Sequence, residues 1–263
     1  WHRVSPGKKC RGWGTNFKKL SKYLRMEIIP AIDIIEGKCV RLTEGDFNRK
    51  KIYNENPLEV ARQFADAGLQ RLHLVDLDGA KVGAVQNWKV LETVAGKTKL
   101  IIDFGGGITS EKDVQIVFNS GAALATVGSI AVKNEEELKR WLQHWGAGKF
   151  LLGADVKKEK IAISGWKETT DIWIYDFIEK YLKHGVLQLF CTDVSKDGKL
   201  EGPSTDLYKA IIEKFSDLHF IASGGVSSLK DLDDLQNIGC KGVIIGKALY
   251  ENRISLEDLI KFL

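Results

Sequence analysis

Ile102-Asp103-Phe104-Gly105-Gly106-Gly107-Ile108-Thr109-Ser110 is repeated, in kind, by Ile221-Ala222-Ser223-Gly224-Gly225-Val226-Ser227-Ser228. Each is a short apolar run that breaks into glycines and then into hydroxyl residues. Gly225 follows Gly107 by 118 positions, and Gly246 (in Ile-Ile-Gly-Lys) follows Gly128 (in Thr-Val-Gly-Ser) by the same 118. Asp193 follows Asp76 by 117 positions, and Asp155 follows Asp33 by 122. Four landmarks in one order at nearly one spacing mark an internal duplication. Each half therefore carries a glycine loop after one strand and a carboxylate at the end of another.

Outward from these segments the pattern alternates. Apolar runs occur at 27–33, 70–76, 99–104, 123–127, 149–155, 186–192, 218–222 and 241–245. They are continuous rather than alternating in polarity, as strands buried on both faces are. Between them, helical spacing appears near 57–67, 86–95, 111–120, 134–144, 171–184, 204–216, 228–237 and 255–262. Asn56-Pro57, Ser110-Glu111 and Ser227-Ser228 are helix-start signals, and Gly68, Gly121, Gly185 and Gly239 stand where helices end. Eight strand–helix units predict an α/β fold, a (β/α)8 barrel of two half-barrels, about 26–146 and 147–263, forming one domain. An open doubly wound sheet competes, but a two-fold repeat favours closure. The β-like segments 38–43 and 159–163 hold equivalent places and predict hairpins over the mouth. The polar run Gly45-Asp46-Phe47-Asn48-Arg49-Lys50-Lys51 reads either as a lid or as a solvated loop.

The 263 residues are 44% hydrophobic and 28% charged, ordinary for a globular chain. No run of about 18 apolar residues exists, so no membrane partner is expected. The net charge of +4 is uneven: residues 1–25 hold eight Lys or Arg and no acid, which leaves −4 for the rest. That balance argues against a nucleic-acid partner. Met26 is the sole methionine. Residues 1–25 are therefore expected to be a non-native or disordered basic leader, with a transit peptide as the competing reading. Cys10, Cys39, Cys191 and Cys240 have no zinc or redox spacing, so reduced thiols in a cytoplasm are expected.

Glycines after strands let backbone N–H groups approach an anion. Gly106 and Gly107 follow the third strand, and Gly128 and Ser129 the fourth. Gly224 and Gly225 follow the seventh, and Gly246 and Lys247 the eighth. Two such cradles suit a small molecule carrying two phosphates; the plainer reading is tight turns. Asp33 and Asp155 end the first and fifth strands, opposite each other in an eight-stranded barrel, where an acid and a base would flank a substrate. Thr192 ends the sixth strand, placed to bind substrate or orient an acid. Asp76, Asp78 and Asp193 read equally well as loop caps, and His73 as structural. Trp166 either stacks on a base or anchors its loop. Trp88, Trp141, Trp145 and Trp173 sit on helical patterns and are expected in packing.

Several segments carry a resemblance: Ile29-Pro30-Ala31-Ile32-Asp33, Gly37-Lys38-Cys39-Val40-Arg41-Leu42, Gly45-Asp46-Phe47, Val75-Asp76-Leu77-Asp78-Gly79-Ala80, Gly105-Gly106-Gly107-Ile108 and Gly246-Lys247-Ala248-Leu249-Tyr250. From Met26 to Leu263 the chain resembles the ProFAR isomerase family of histidine biosynthesis. The resemblance implies an Amadori rearrangement of an aminoaldose to an aminoketose, without metal or cofactor, on a substrate with a phosphate at each end. It implies Asp33 as general base, Asp155 as general acid and Thr192 assisting. A monomer is expected. The sister cyclase shares the half-barrel and both aspartates, but typically carries Cys before Leu-Asp where this chain has Ala31-Ile32-Asp33. A dual-substrate isomerase that also accepts phosphoribosylanthranilate is a third enzyme reading. A non-catalytic phosphate-binding barrel would need the glycines but not both aspartates.

Overall fold

The computed structural model describes residues 25–43 and 46–263; the expectations for residues 1–24 and for Gly45 lie outside them. The strands are β1 (Glu27–Ile35), β2 (Lys38–Thr43), β3 (Asp46–Asn54), β4 (Arg71–Asp76), β5 (Ile101–Gly105), β6 (Leu124–Val127), β7 (Phe150–Lys157), β8 (Lys160–Ile163), β9 (Glu168–Trp173), β10 (Gln188–Asp193), β11 (His219–Ser223) and β12 (Gly242–Ile245). The helices are α1 (Pro57–Asp66), α2 (Leu77–Val82), α3 (Trp88–Lys97), α4 (Glu111–Asn119), α5 (Ile130–Lys133), α6 (Glu135–Trp145), α7 (Ile174–Leu182), α8 (Thr205–Lys214), α9 (Leu229–Asn237), α10 (Lys247–Tyr250) and α11 (Leu256–Leu259). Strands β1, β4, β5, β6, β7, β10, β11 and β12 pair in parallel, and β12 returns to β1, so the sheet closes as the expected (β/α)8 barrel.

The unbroken apolar strands follow from closure, because each strand is covered on both faces. Ile29, Ala31, Leu124, Leu151, Phe190, Ile221 and Ile244 pack together inside the barrel. Ile28, Ile32, Leu72, Phe104 and Val127 belong to the larger core shared with the helices. Capping repeats with the fold: Ser110 with Asp113 and Ser228 with Asp231 form reciprocal capping boxes at α4 and α9, equivalent helices of the two halves. Asn56 accepts from the Leu58 N–H and sets Pro57 at the first helical position of α1.

Each half also carries a hairpin on its first strand. β2 runs antiparallel to β1 and β3 to β2; β8 runs antiparallel to β7 and β9 to β8. The run Asp46–Lys51 thus belongs to strand β3 rather than to a loop. Residues 171–173, expected at the start of a helix, end strand β9, and Trp173 is 45% exposed there instead of packed on a helix. Trp141 is buried on α6 as expected. The short helices α2, α5 and α10 have too few residues to display a period. At the other end of the barrel, Arg71 Nη1 donates to Glu27 Oε2 at 2.7 Å. The two strands supplying this pair, β1 and β4, are neighbours, so the ionic contact links adjacent strands at that end of the barrel. Among the described residues no helix is long and apolar enough to cross a membrane.

Candidate active site

At the carboxyl ends of the strands, the side chain of Asp33 on β1 meets the β2 hairpin. Arg41 Nη1 donates to Asp33 Oδ2 at 2.8 Å, and Nη2 donates to the Ala31 carbonyl at 3.0 Å. Burial works against the Arg41 charge, but Asp33 and then Tyr250 and Asp197 hold its pKa above the ordinary value.

Asp155 on β7 meets the other hairpin. The turn Ser164-Gly165-Trp166 is left-handed throughout, with φ of 59°, 64° and 68°, a costly run for two non-glycine residues. It returns the Trp166 indole to the mouth, where Nε1 donates to Asp155 Oδ2 at 2.8 Å. Trp166 therefore touches an expected catalytic carboxyl. Thr192 is buried, lies directly across the β7–β10 pairing from Asp155, and hydrogen-bonds its carboxyl. Burial raises the Asp155 pKa, and the bonds from Trp166 and Thr192 together with the His73 charge oppose it.

A third carboxyl, which the sequence reading missed, joins them. Asp197 lies in the turn after β10, and its pKa is pushed up to about 6, chiefly by burial. Arg41 pulls it down, while Asp33 and Asp155 push it further up, so all three acids share one electrostatic neighbourhood. In sequence, Asp197-Gly198 reads as an ordinary turn. Its signal was the short span from Thr192-Asp193, which sets a further acid beside a strand end already singled out.

The caps are confirmed as caps. Asp76 accepts from the Gly79, Gln86 and Asn87 backbone N–H groups and from Asn87 Nδ2. Asp78 accepts from the Glu36 N–H and Asn87 Nδ2. Asp193 accepts from Ser195 N, Ser195 Oγ and Ser204 Oγ. His73 pairs through Nδ1 with buried Asp103, which also accepts from Thr126 Oγ1 at 3.0 Å. Its ring meets Phe190 edge-on.

The glycine loops sit on adjacent strands in both halves: Gly106 and Gly107 after β5 beside Gly128 and Ser129 after β6, and Gly224 and Gly225 after β11 beside Gly246 and Lys247 after β12. Neighbouring backbone already accounts for glycine at three of these positions. A Cβ on Gly106 would stand 2.1 Å from the Asp76 carbonyl oxygen, one on Gly107 2.7 Å from that of Ala84, and one on Gly225 2.4 Å from that of Gly202. Ser129 Oγ accepts from the Ser164 N–H at 3.1 Å, tying one loop to the Trp166 hairpin. Lys247 Nζ donates to the Gly198 carbonyl at 2.6 Å, tying the other to the Asp197 turn. A cavity beside Ala65, Leu69 and Ile101 and another beside Tyr53, Phe64 and Leu256 lie away from the three carboxyls.

A two-fold (β/α)8 barrel with acids gathered at one end is the class these features define, and comparison with known proteins narrows it. The family model described as histidine biosynthesis protein matches residues 27–255. The chain is 56% identical over 237 residues to the 1-(5-phosphoribosyl)-5-((5-phosphoribosylamino)methylideneamino)imidazole-4-carboxamide isomerase of Azobacteroides pseudotrichonymphae, a match that covers 90% of this chain and 99% of that protein. Isomerases of the same name from Parabacteroides distasonis and Flavobacterium psychrophilum are each 54% identical to it, over 90% of this chain and 99% of theirs. The chain belongs to this histidine biosynthesis family.

Proposed function

We propose that this chain is an isomerase that rearranges the aminoaldose ProFAR to the aminoketose PRFAR, as the names of its relatives indicate. The observation that carries the chemistry is the unlike treatment of two equivalent carboxyls. Asp33 is paired with a guanidinium, and Asp155 is buried against an indole N–H, with its pKa raised. The first suits a base and the second an acid. Asp155 protonates the ribose ring oxygen and the C1–O bond opens, leaving a Schiff base. Asp33 then removes the C2 proton, and the resulting enolamine takes a proton at C1 to become the ketose. Thr192, bonded to Asp155, fixes the acid's direction. The two glycine loops seat the two terminal phosphates, and Trp166 holds the acid through its indole N–H.

A second reading of the acid rests on Asp197. With a pKa of about 6 it holds and yields a proton near neutrality more readily than an ordinary aspartate. The Asn variants of Asp155 and Asp197 separate the two: the true acid loses ring opening, and the other variant keeps it. For the activity itself, purified protein is given ProFAR and followed spectroscopically, with and without an added cyclase–glutaminase pair. Conversion to a product that the added pair consumes is the expected result. No conversion of ProFAR, with cyclisation of PRFAR by ammonia instead, would transfer the assignment to the sister enzyme.

Residues 26–263 are proposed to be the whole catalytic unit. The relatives align over 237 residues and 99% of their own length without requiring the basic segment. A chain beginning at Met26 is expected to fold and turn over as the full one does; loss of either would show that residues 1–25 take part.

A further inference from the structure

Arg41 makes contacts that acid–base chemistry alone does not call for. Its guanidinium is held between two surfaces. On one side runs the backbone of Gly246, so close that a Cβ built there would stand 2.0 Å from Nη2 and 2.4 Å from Cζ. On the other side lies the Tyr250 ring, with Cζ 5.4 Å from its centroid. The Tyr250 hydroxyl donates to the Ala31 carbonyl at 3.0 Å and accepts from Cys39 Sγ at 3.3 Å. Of the nitrogens in the guanidinium, Nη1 is committed to Asp33 and Nη2 to Ala31. The third, Nε, is buried and has no partner among the described residues. A buried N–H left without an acceptor is costly, and an arginine that bears one next to a glycine loop is set up to receive an oxyanion.

We propose that Arg41 is a positioning residue that couples the Asp33 carboxylate to the Gly246–Lys247 loop: a phosphate monoester seated on that loop draws on the same guanidinium as Asp33, and its arrival loosens the pair and frees the carboxylate to act as a base. The inference rests on the reading of that loop as a phosphate cradle. Gly246 is glycine, on this view, because the guanidinium crosses it on its way from Asp33 to the anion. Asp33 and the anion compete for one cation's donors, so the two sites are energetically linked. Linkage is reciprocal: whatever the phosphate does to Asp33, Asp33 does to the phosphate.

The test measures binding of inorganic phosphate by the full chain, using calorimetry, for the wild type and for Asp33→Asn, Asp155→Asn, Arg41→Lys, Lys247→Gln and the double variant Asp33→Asn with Arg41→Lys. Asp33→Asn frees the guanidinium and should tighten phosphate by about fivefold or more, the scale of an ordinary coupling. Asp155→Asn removes the equivalent carboxyl without touching Arg41 and should change little, which separates linkage from bulk electrostatics. The tightening should vanish in the Arg41→Lys background, since lysine keeps the charge but lacks Nε and the planar fork. A structural role for Arg41 would lower thermal stability without abolishing that difference. An Asp33→Asn effect that persists unchanged beside Arg41→Lys, or that Asp155→Asn reproduces, would overturn the coupling while leaving the cradle standing if Lys247→Gln still weakens phosphate. Failure of the wild type to bind phosphate, or indifference to Lys247→Gln, would remove the cradle and the coupling with it.

Discussion

The two hairpins occupy the same place in the two halves, yet they bring unlike partners to the two carboxyls. The hairpin on β1 brings Arg41 to Asp33, and the hairpin on β7 brings Trp166 to Asp155. One carboxyl receives a full positive charge and the other a neutral donor in a buried setting. The barrel strands supply two equivalent carboxyls; two side chains on appended hairpins make them unequal. The duplicated frame thus fixes where the two carboxyls stand, and the additions to it decide what each one meets.

The carboxyls give the strongest test of that contrast. Asp33→Asn and Asp155→Asn should each lower kcat by roughly 10²–10⁴, as loss of a general base or acid does. The defects should differ in kind when C2 proton exchange with solvent is followed on a substrate analogue that is already ring-opened. Asp155→Asn should retain exchange and Asp33→Asn should lose it. Equal behaviour of the two variants would break the comparison.

The glycine loops should respond alike in both halves, in contrast to the carboxyls. Gly106→Ala forces a methyl against the Asp76 carbonyl, and Gly225→Ala forces one against that of Gly202. Both positions also have positive φ, 98° and 79°. Each change should cost about 1–3 kcal/mol of stability, the scale of a strained residue, and raise KM as the loop shifts. Thermal melts and steady-state kinetics read the two effects. A change in KM in one half alone would show that the cradles are not equivalent.

The smallest expected effect belongs to Trp166→Phe. It removes one hydrogen bond that lowers the Asp155 pKa, so the carboxyl should keep its proton to higher pH. If Asp155 is the acid, activity on the alkaline side should extend upward in pH, and kcat at neutral pH should fall by no more than about tenfold, the value of one lost hydrogen bond. An unmoved alkaline limb would point to Asp197 as the group that protonates the ring.

Strand positions were legible in the sequence because closure buries both faces of each strand, which leaves continuous apolar runs such as those at 149–155 and 241–245. The paired landmarks exposed the duplication for the same physical reason: equivalent strand ends need equivalent turns. Asp33, Asp155 and Thr192 stood at those ends and so drew notice. Arg41 and Asp197 did not, because an arginine on a short strand and an Asp-Gly turn look ordinary until folding brings them to the carboxyls. The glycines were seen correctly but explained incompletely. Their first requirement is the neighbouring backbone, a contact between segments well separated in sequence that no local pattern displays.

That backbone contact ties the loops to one another. The turn after β5 rests on the end of β4 through Gly106 and Asp76 and on the segment that follows through Gly107 and Ala84, and the turn after β11 rests on the segment that follows β10, through Gly225 and Gly202. A Gly202 N–H to Gly225 carbonyl hydrogen bond of 3.0 Å fastens the second pair. Loops on this barrel are therefore not interchangeable parts. Anyone grafting a new specificity onto it would have to transplant them two at a time, because a foreign loop inserted alone would meet a neighbour shaped for the one it replaced.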